Sequence, residues 1–209
     1  SETSGKFSDE EQADLIDLVA AQSQEVANIV DDLLVAARAD TGSIVVVPEA
    51  VSIRAVVGEV LASHSGRVDF SMASASDVQV WADPVRVRQV LRNLLTNADR
   101  YGGSVVKVHI VAGPAGVRIE VRDNGSGIPE GMREHIFEPY ARGHSGTSQP
   151  ASVGLGLAVA RRLAQLMKGD LELSSESGWT VFSLSLPGVA VEQAVPEPEL
   201  RFRQPVATP

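Results

Sequence analysis

Asp83-Pro84-Val85-Arg86-Val87-Arg88-Gln89-Val90-Leu91-Arg92-Asn93-Leu94-Leu95-Thr96-Asn97-Ala98-Asp99-Arg100-Tyr101 is the stretch whose reading decides the fold. Asp83 is an N-cap residue type and Pro84 suits the first helical position, so a helix is expected from Pro84 to about Tyr101. Asn93 and Asn97 are four apart, which puts both amides on one side of that helix. Helix interiors disfavour asparagine because its amide competes for backbone hydrogen bonds. Two on one face therefore call for a reason. Amide oxygens are hard ligands suited to Mg²⁺, which keeps several waters and shares its remaining positions with substrate phosphates. A structural hydrogen-bonding role is the other reading. Arg100 and Tyr101 end the helix, either as contacts for phosphate and ribose or as a solvated cation and a capping aromatic.

Two glycine-bearing turns lie downstream. Asp123-Asn124-Gly125-Ser126-Gly127-Ile128-Pro129 follows an expected strand. Its glycines allow a tight turn and close approach of backbone to a ligand. A carboxylate fixed at a strand end can accept a hydrogen bond from an exocyclic amine, such as that of adenine. A plain β-turn has the same composition. Gly154-Leu155-Gly156-Leu157 opens a helix expected to reach Met167. Free N–H groups at a helix start, with no side chains in the way, bind phosphate; a flexible loop joining a helix is the alternative.

Around these segments, strands are expected at 44–47, 69–73, 78–81, 105–111, 117–121, 171–174 and 180–186, and a helix at 53–62. The pair 105–111 and 117–121 reads as a hairpin across Gly113 to Gly116. Residues 138–153 are polar and glycine-bearing, as in a mobile loop. Strands and helices in mixed order, with hairpins, give an α+β chain or two-layer α/β sandwich and lack the regular alternation of a doubly wound sheet.

Ser8 to about Ala39 reads as one long helix. Ser8 and Glu11 form a capping box. Leu15, Val19, Gln22, Val26, Ile29, Leu33 and Ala36 follow a 4-3 spacing, the seam of a coiled coil or helix bundle. About 30 helical residues span roughly 45 Å, more than the diameter of a small domain. The helix either folds onto its own domain or needs partner helices. Three segments are thus expected: 1–42 with the long helix, 43–188 as the main domain, and 189–209 as a proline-bearing tail or linker.

The formal net charge of −9 argues against a broad nucleic-acid surface, which needs clustered positive charge. Without cysteine there is neither a disulfide scaffold nor a thiolate metal site. No apolar run approaches the ~18–20 residues that span a bilayer.

Taken in order, these segments resemble the histidine-kinase-type ATPases, the superfamily of gyrase, Hsp90-like chaperones, histidine kinases and MutL proteins. Residues 83–98 look like the family's N box, and Asp123 to Pro129 like its first glycine box. Ile136-Phe137-Glu138-Pro139-Tyr140 with Arg142 looks like the F box of histidine kinases. Gly154 to Leu157 with the helix to Gly169 looks like the second glycine box. The resemblance implies the Bergerat ATP-binding fold, a mixed sheet with helices on one face, preceded by the long helix. It implies ATP and Mg²⁺ as ligands. Asn97 would hold the metal, with Asn93 beside it as a direct or water-mediated contact. Asp123 would read the adenine amine, while Gly125, Gly127 and Ile128 admit the base. Arg100, where the family usually has lysine, and Tyr101 would contact the nucleotide. Arg142 would approach the γ-phosphate from a lid, and Gly154, Leu155, Gly156 and Leu157 would receive the phosphates.

Gyrase-like relatives carry a glutamate one turn before the metal asparagine, where it activates water. Here that position is Asn93, a poor general base, so phosphoryl transfer to a protein is expected rather than fast hydrolysis. The long helix resembles the second helix of a histidine-kinase dimerisation domain. The acceptor motif, His followed by Glu or Asp, is absent: His64, His109, His135 and His144 all precede other residues. The resemblance therefore implies a fragment that binds ATP without phosphorylating itself. Its partners would be a phosphoacceptor helix of the same protein, a second copy in a homodimer and a response regulator. This part would lie in the cytoplasm, whether or not the parent is membrane-anchored. A nucleotide-sensing pseudokinase and a Ser/Thr kinase of the anti-sigma type are the competing readings.

Overall fold

The computed structural model describes residues 8–40, 44–64, 66, 68–72, 78–113, 116–140 and 154–188. The first helix, α1, spans Asp9–Asp40. Its capping box forms: Glu11 N donates to Ser8 Oγ at 3.2 Å, and Ser8 N donates to Glu11 Oε2 at 2.7 Å. The expected seam stays largely uncovered, with Leu15, Val19, Val26 and Leu33 exposed. Val35 is the buried hydrophobe of α1, flanked by partly buried Ala36. Among the described residues, the contacts of the helix with the rest of the chain fall in its C-terminal half, at Asp32 and Val35.

The main body holds two sheets. Strand β1 (Glu49–Ser52) pairs antiparallel with β3 (Gln79–Ala82). The larger sheet runs β2 (Val68–Met72), β4 (Val106–Gly113), β5 (Gly116–Asp123), β7 (Trp179–Pro187), β6 (Asp170–Glu176). β2 pairs parallel with β4, and the other pairs are antiparallel. The sheet is therefore mixed, as expected. One face carries Val108, Ile110, Ile119, Val121, Leu171, Phe182 and Leu184, all buried. Helices α2 (Ile53–Ala62), α3 (Pro84–Tyr101) and α5 (Gly156–Leu166) supply Val57, Leu94, Leu95, Ala160 and Leu163 to the same core. The other face bears Lys107, His109, Arg118, Glu120 and Arg122. There Ser71 Oγ lies 2.7 Å from His109 Nδ1, and Arg122 reaches Glu120 at 2.8 Å. A short helix, α4 (Glu130–Arg133), follows the first glycine turn.

The expected strand at 44–47 does not form. Its backbone is claimed elsewhere: Val47 N donates to Asp83 Oδ2 at 3.1 Å while Ile44 and Val46 pack on the core. The strand begins two residues later, where β3 offers a ladder. Among the described residues, no helix is long and apolar enough to cross a membrane.

Candidate functional site

α3 is the spine of the site. Asp83 Oδ1 accepts from Val85 N at 2.9 Å and Arg86 N at 3.2 Å, so the expected N-cap is present. Val87, Val90, Leu91, Leu94, Leu95 and Ala98 are buried. That anchoring fixes the rotation of the helix and leaves Asn93 and Asn97 together at its half-buried flank. Asn93 Nδ2 donates to the carbonyl of Gly156 at 3.0 Å and to both Asp32 carboxylate oxygens, at 3.3 and 3.2 Å. The structural role weighed for this amide is thus real. Asn97 is half-buried, and its amide has no hydrogen-bond partner among the described residues. Arg100 is half-buried and Tyr101 is exposed at the end of the helix.

Asp123 is the last residue of β5 and is 5% exposed. Its Oδ1 accepts from Gly125 N at 3.0 Å. Burial pushes its carboxyl above the usual range, against the Gly125 and Thr180 hydrogen bonds that lower it. The carboxylate abuts the end of α3: a Cβ on Gly102 would lie 2.9 Å from the Asp123 Cβ. A Cβ on Gly125 would sit 2.6 Å from the Tyr101 carbonyl oxygen and 2.9 Å from Asp123 Oδ1. Gly125 is therefore required by the close packing of the turn on α3. Gly127 has open space around it but φ of 76°, a left-handed backbone that suits glycine. Ile128 is half-buried against the core, and its carbonyl accepts from Arg133 Nε at 3.2 Å.

The second glycine turn closes the arrangement from α5. Leu155 is buried and Leu157 packs against the core, so both side chains anchor the helix. Leu155 stands at the N-cap of α5, with no side-chain cap on the first-turn N–H groups. Such uncapped donors, with the positive end of the helix dipole, favour an anion. A Cβ on Gly156 would lie 3.6 Å from the Asn93 side chain, so α3 and α5 touch at this amide. Gly154, with φ of 73°, accepts from Tyr140 N at 2.9 Å. In the expected F box, Ile136 is buried and Phe137 meets Phe182 edge-on at 6.4 Å, with the Arg161 guanidinium 4.7 Å above its ring. Arg142 and His144 lie outside the described residues, as does the rest of 141–153.

Asn93 thus meets the second glycine turn on the flank of α3, while Asp123 and the first glycine turn pack at its C-terminal end. Thr180 and Gly102 belong to the same neighbourhood and were not singled out from sequence. The Gly102-Gly103 pair directly after the helix was the available signal; Thr180 gave none. A cavity of about 230 Å³ lies elsewhere, between α1 and Arg86.

The family model of histidine kinase-, DNA gyrase B- and HSP90-like ATPases matches residues 82–190, just over half of the chain. The probable sensor histidine kinase TcrY of Mycobacterium tuberculosis is 33% identical over 175 residues, covering 81% of this chain and 37% of TcrY. Sensor protein EvgS of Escherichia coli is 30% identical over 97% of this chain and 18% of its own length. The chain thus spans well under half of these relatives. The crystal structure of the ATP binding domain of PrrB from Mycobacterium tuberculosis matches with a TM-score of 0.54 at 29% identity, covering 68% of this chain and 97% of that one. The chain belongs to the histidine kinase-, DNA gyrase B- and HSP90-like ATPases, as a histidine-kinase ATP-binding domain homologous to those of two-component sensor kinases.

Proposed function

We propose that this chain binds ATP with Mg²⁺ and delivers the γ-phosphoryl group to a histidine on a dimerisation-domain helix outside these 209 residues, for relay to an aspartate of a response regulator. The observation that carries the reading is Asp123: a buried carboxylate at a strand end, beside the helix that bears Asn97, whose amide has no hydrogen-bond partner among the described residues. A carboxylate is kept in such a place, against its desolvation cost, where a ligand donor completes its hydrogen bonding.

The residues present fit the group. Among the described residues, Asn97 has no partner for its amide oxygen and α5 has no side-chain cap, and Asp123 has acceptor capacity beyond Gly125 and Thr180. In this assignment Asp123 accepts from the adenine amine, where guanine carries a carbonyl oxygen that cannot donate. Gly125 holds the turn against α3, Gly127 and Ile128 flank the base, and Arg100 and Tyr101 contact the nucleotide. Gly154, Leu155, Gly156 and Leu157 direct main-chain donors at the phosphates, with Arg142 assigned to the γ-phosphate. Asn97 holds the metal and Asn93 lies beside it. Bound Mg²⁺ neutralises charge on the phosphate oxygens, and catalysis otherwise rests on positioning. An imidazole nitrogen forms the N–P bond as the β–γ bridging P–O bond breaks, and ADP leaves.

None of the histidines in the described residues lies on a helix that could serve as acceptor: His64 follows α2, His109 is on β4, and His135 follows α4. The exposed seam of α1 supports a bundle of such helices and hence a homodimer. The segments 1–42, 43–188 and 189–209 are assigned accordingly as dimerisation helix, catalytic domain and tail. The test is transfer in trans. Mixed with labelled ATP and a separate dimerisation domain carrying a His-Glu acceptor helix, the chain should place acid-labile phosphate on that domain. Label on the chain itself with none on the acceptor would contradict the assignment.

A further inference from the structure

Two side chains, Asp32 and Asn93, tie three helices together. Asp32, on α1, accepts from Gln89 Nε2 at 3.0 Å and from Asn93 Nδ2 at 3.2 and 3.3 Å, both on α3. Asn93 Nδ2 also donates to the carbonyl of Gly156, the first residue of α5, at 3.0 Å. Gln89 in turn accepts from Arg86 Nη1 at 3.0 Å through its Oε1. The chain of bonds has a direction. A guanidinium only donates, so Gln89 must present its oxygen to Arg86 and its nitrogen to Asp32. A carboxylate and a peptide carbonyl only accept, so Asn93 must present its nitrogen to Asp32 and Gly156. The opposite orientation of the Asn93 amide would set its oxygen against a carboxylate and a carbonyl in a half-buried place, where unpaired polar groups are costly. Both Asn93 protons are therefore engaged within the protein, and Oδ1 is the group left to offer.

We infer that Asp32 is a positioning residue for the metal site: it locks the Asn93 amide so that oxygen, and not nitrogen, is presented to Mg²⁺. The inference rests on the Mg-ATP reading above and deepens it. Outer partners that orient a metal ligand are a recurrent device. Here the orienting group lies on a different helix from the ligand, so the seating of α1 sets the metal site on α3. Two features separate this from a merely adhesive contact. Beside the α1 contact an open groove of about 230 Å³ runs between Leu34, Val35 and Arg38 of α1, Ile44 and Arg86. Asp32 itself is half-buried. A partly buried carboxylate held against its desolvation is weak glue for a helix.

The test uses the full chain and a non-hydrolysable ATP analogue, titrated with Mg²⁺ and separately in chelator. For Asp32→Ala the Mg²⁺ concentration at half-maximal analogue binding should rise about tenfold, the scale of losing a ligand's outer partner, with binding in chelator unchanged. Asp32→Leu, which keeps helix propensity and also lacks an acceptor, should shift alike. Asp32→Asn retains an oxygen for both amides and should stay near the parent. A role confined to holding α1 would lower the urea midpoint and leave the Mg²⁺ midpoint in place. Parental Mg²⁺ midpoints in both Ala and Leu variants overturn the inference while Mg-ATP binding stands. Tighter analogue binding in those variants also overturns it and makes Asp32 a competitor of the phosphates. If the parent chain itself shows no Mg²⁺-dependent binding, the nucleotide reading falls and the inference with it.

Discussion

Asp123 shows how a single residue serves function against stability. Its carboxyl is pushed upward by burial. A carboxyl raised above its unfolded value binds its proton more tightly in the folded state. The associated stability is complete below the unfolded pKa and is lost as pH rises through the folded one. Asp123→Asn carries no such charge, keeps an oxygen for Gly125 N and cannot ionise. Its urea midpoint relative to the parent should therefore be higher at pH 7 than at pH 3.5, and an equal offset at both would contradict the argument. At Gly125 the expectation is steric. A methyl group 2.6 Å from the Tyr101 carbonyl oxygen forces the turn off α3, so Gly125→Ala should lower stability by about 1–3 kcal/mol in chemical denaturation. The turn at Asp123 and its glycines was legible in the sequence because Asp-Asn-Gly-x-Gly after an alternating run marks a strand end, although that composition alone does not separate a binding turn from a plain one. Asp32 was not, because nothing in a run of helical residues says which acidic side chain turns toward a neighbouring helix.

Among the elements, α3 was the most readable. Its cap, its proline and its paired asparagines each carry a local rule, and Asp83 meets its rule with Oδ1 while Oδ2 holds Val47 N. Asp83→Ala removes both sets of bonds. It should cost about 1–2 kcal/mol, the upper range for a cap, measured by urea unfolding. The hairpin of β4 and β5 was equally plain from alternation and turn glycines. The stretch 44–47 misled because apolar, β-branched residues suit a strand and equally suit an extended segment pinned by one side chain. For α1, the 4-3 spacing leaves the choice between self-domain and partner helices open, and the uncovered Leu15, Val19, Val26 and Leu33 favour the partner. A charge in the seam should weaken that pairing. Val19→Lys with Val26→Lys should shift sedimentation toward monomer while the urea midpoint of the α/β body holds. Unchanged association would assign the seam another role.

At the scale of the molecule, order of motifs matters more than any one of them. The mixed sheet brings the end of β5 and the start of α5 against α3, although these segments are about 30 and 60 residues apart from Asn93 in sequence. Local patterns predict each piece, whereas their meeting depends on the parallel pairing of β2 with β4 and the return of β7 beside β5, which no local rule supplies. In the proposed assignment Asp123 is the acceptor for the base, Asn97 the amide for the metal and the start of α5 the donor set for the phosphates. Titration calorimetry of the full chain with Mg-ATP tests that claim most directly. Saturable binding at one nucleotide per chain is expected, weakened at least about a hundredfold in Asp123→Ala, the scale of losing a buried polar contact built for one substrate group. Absence of heat with folded protein, or equal affinity in the variant, would contradict it.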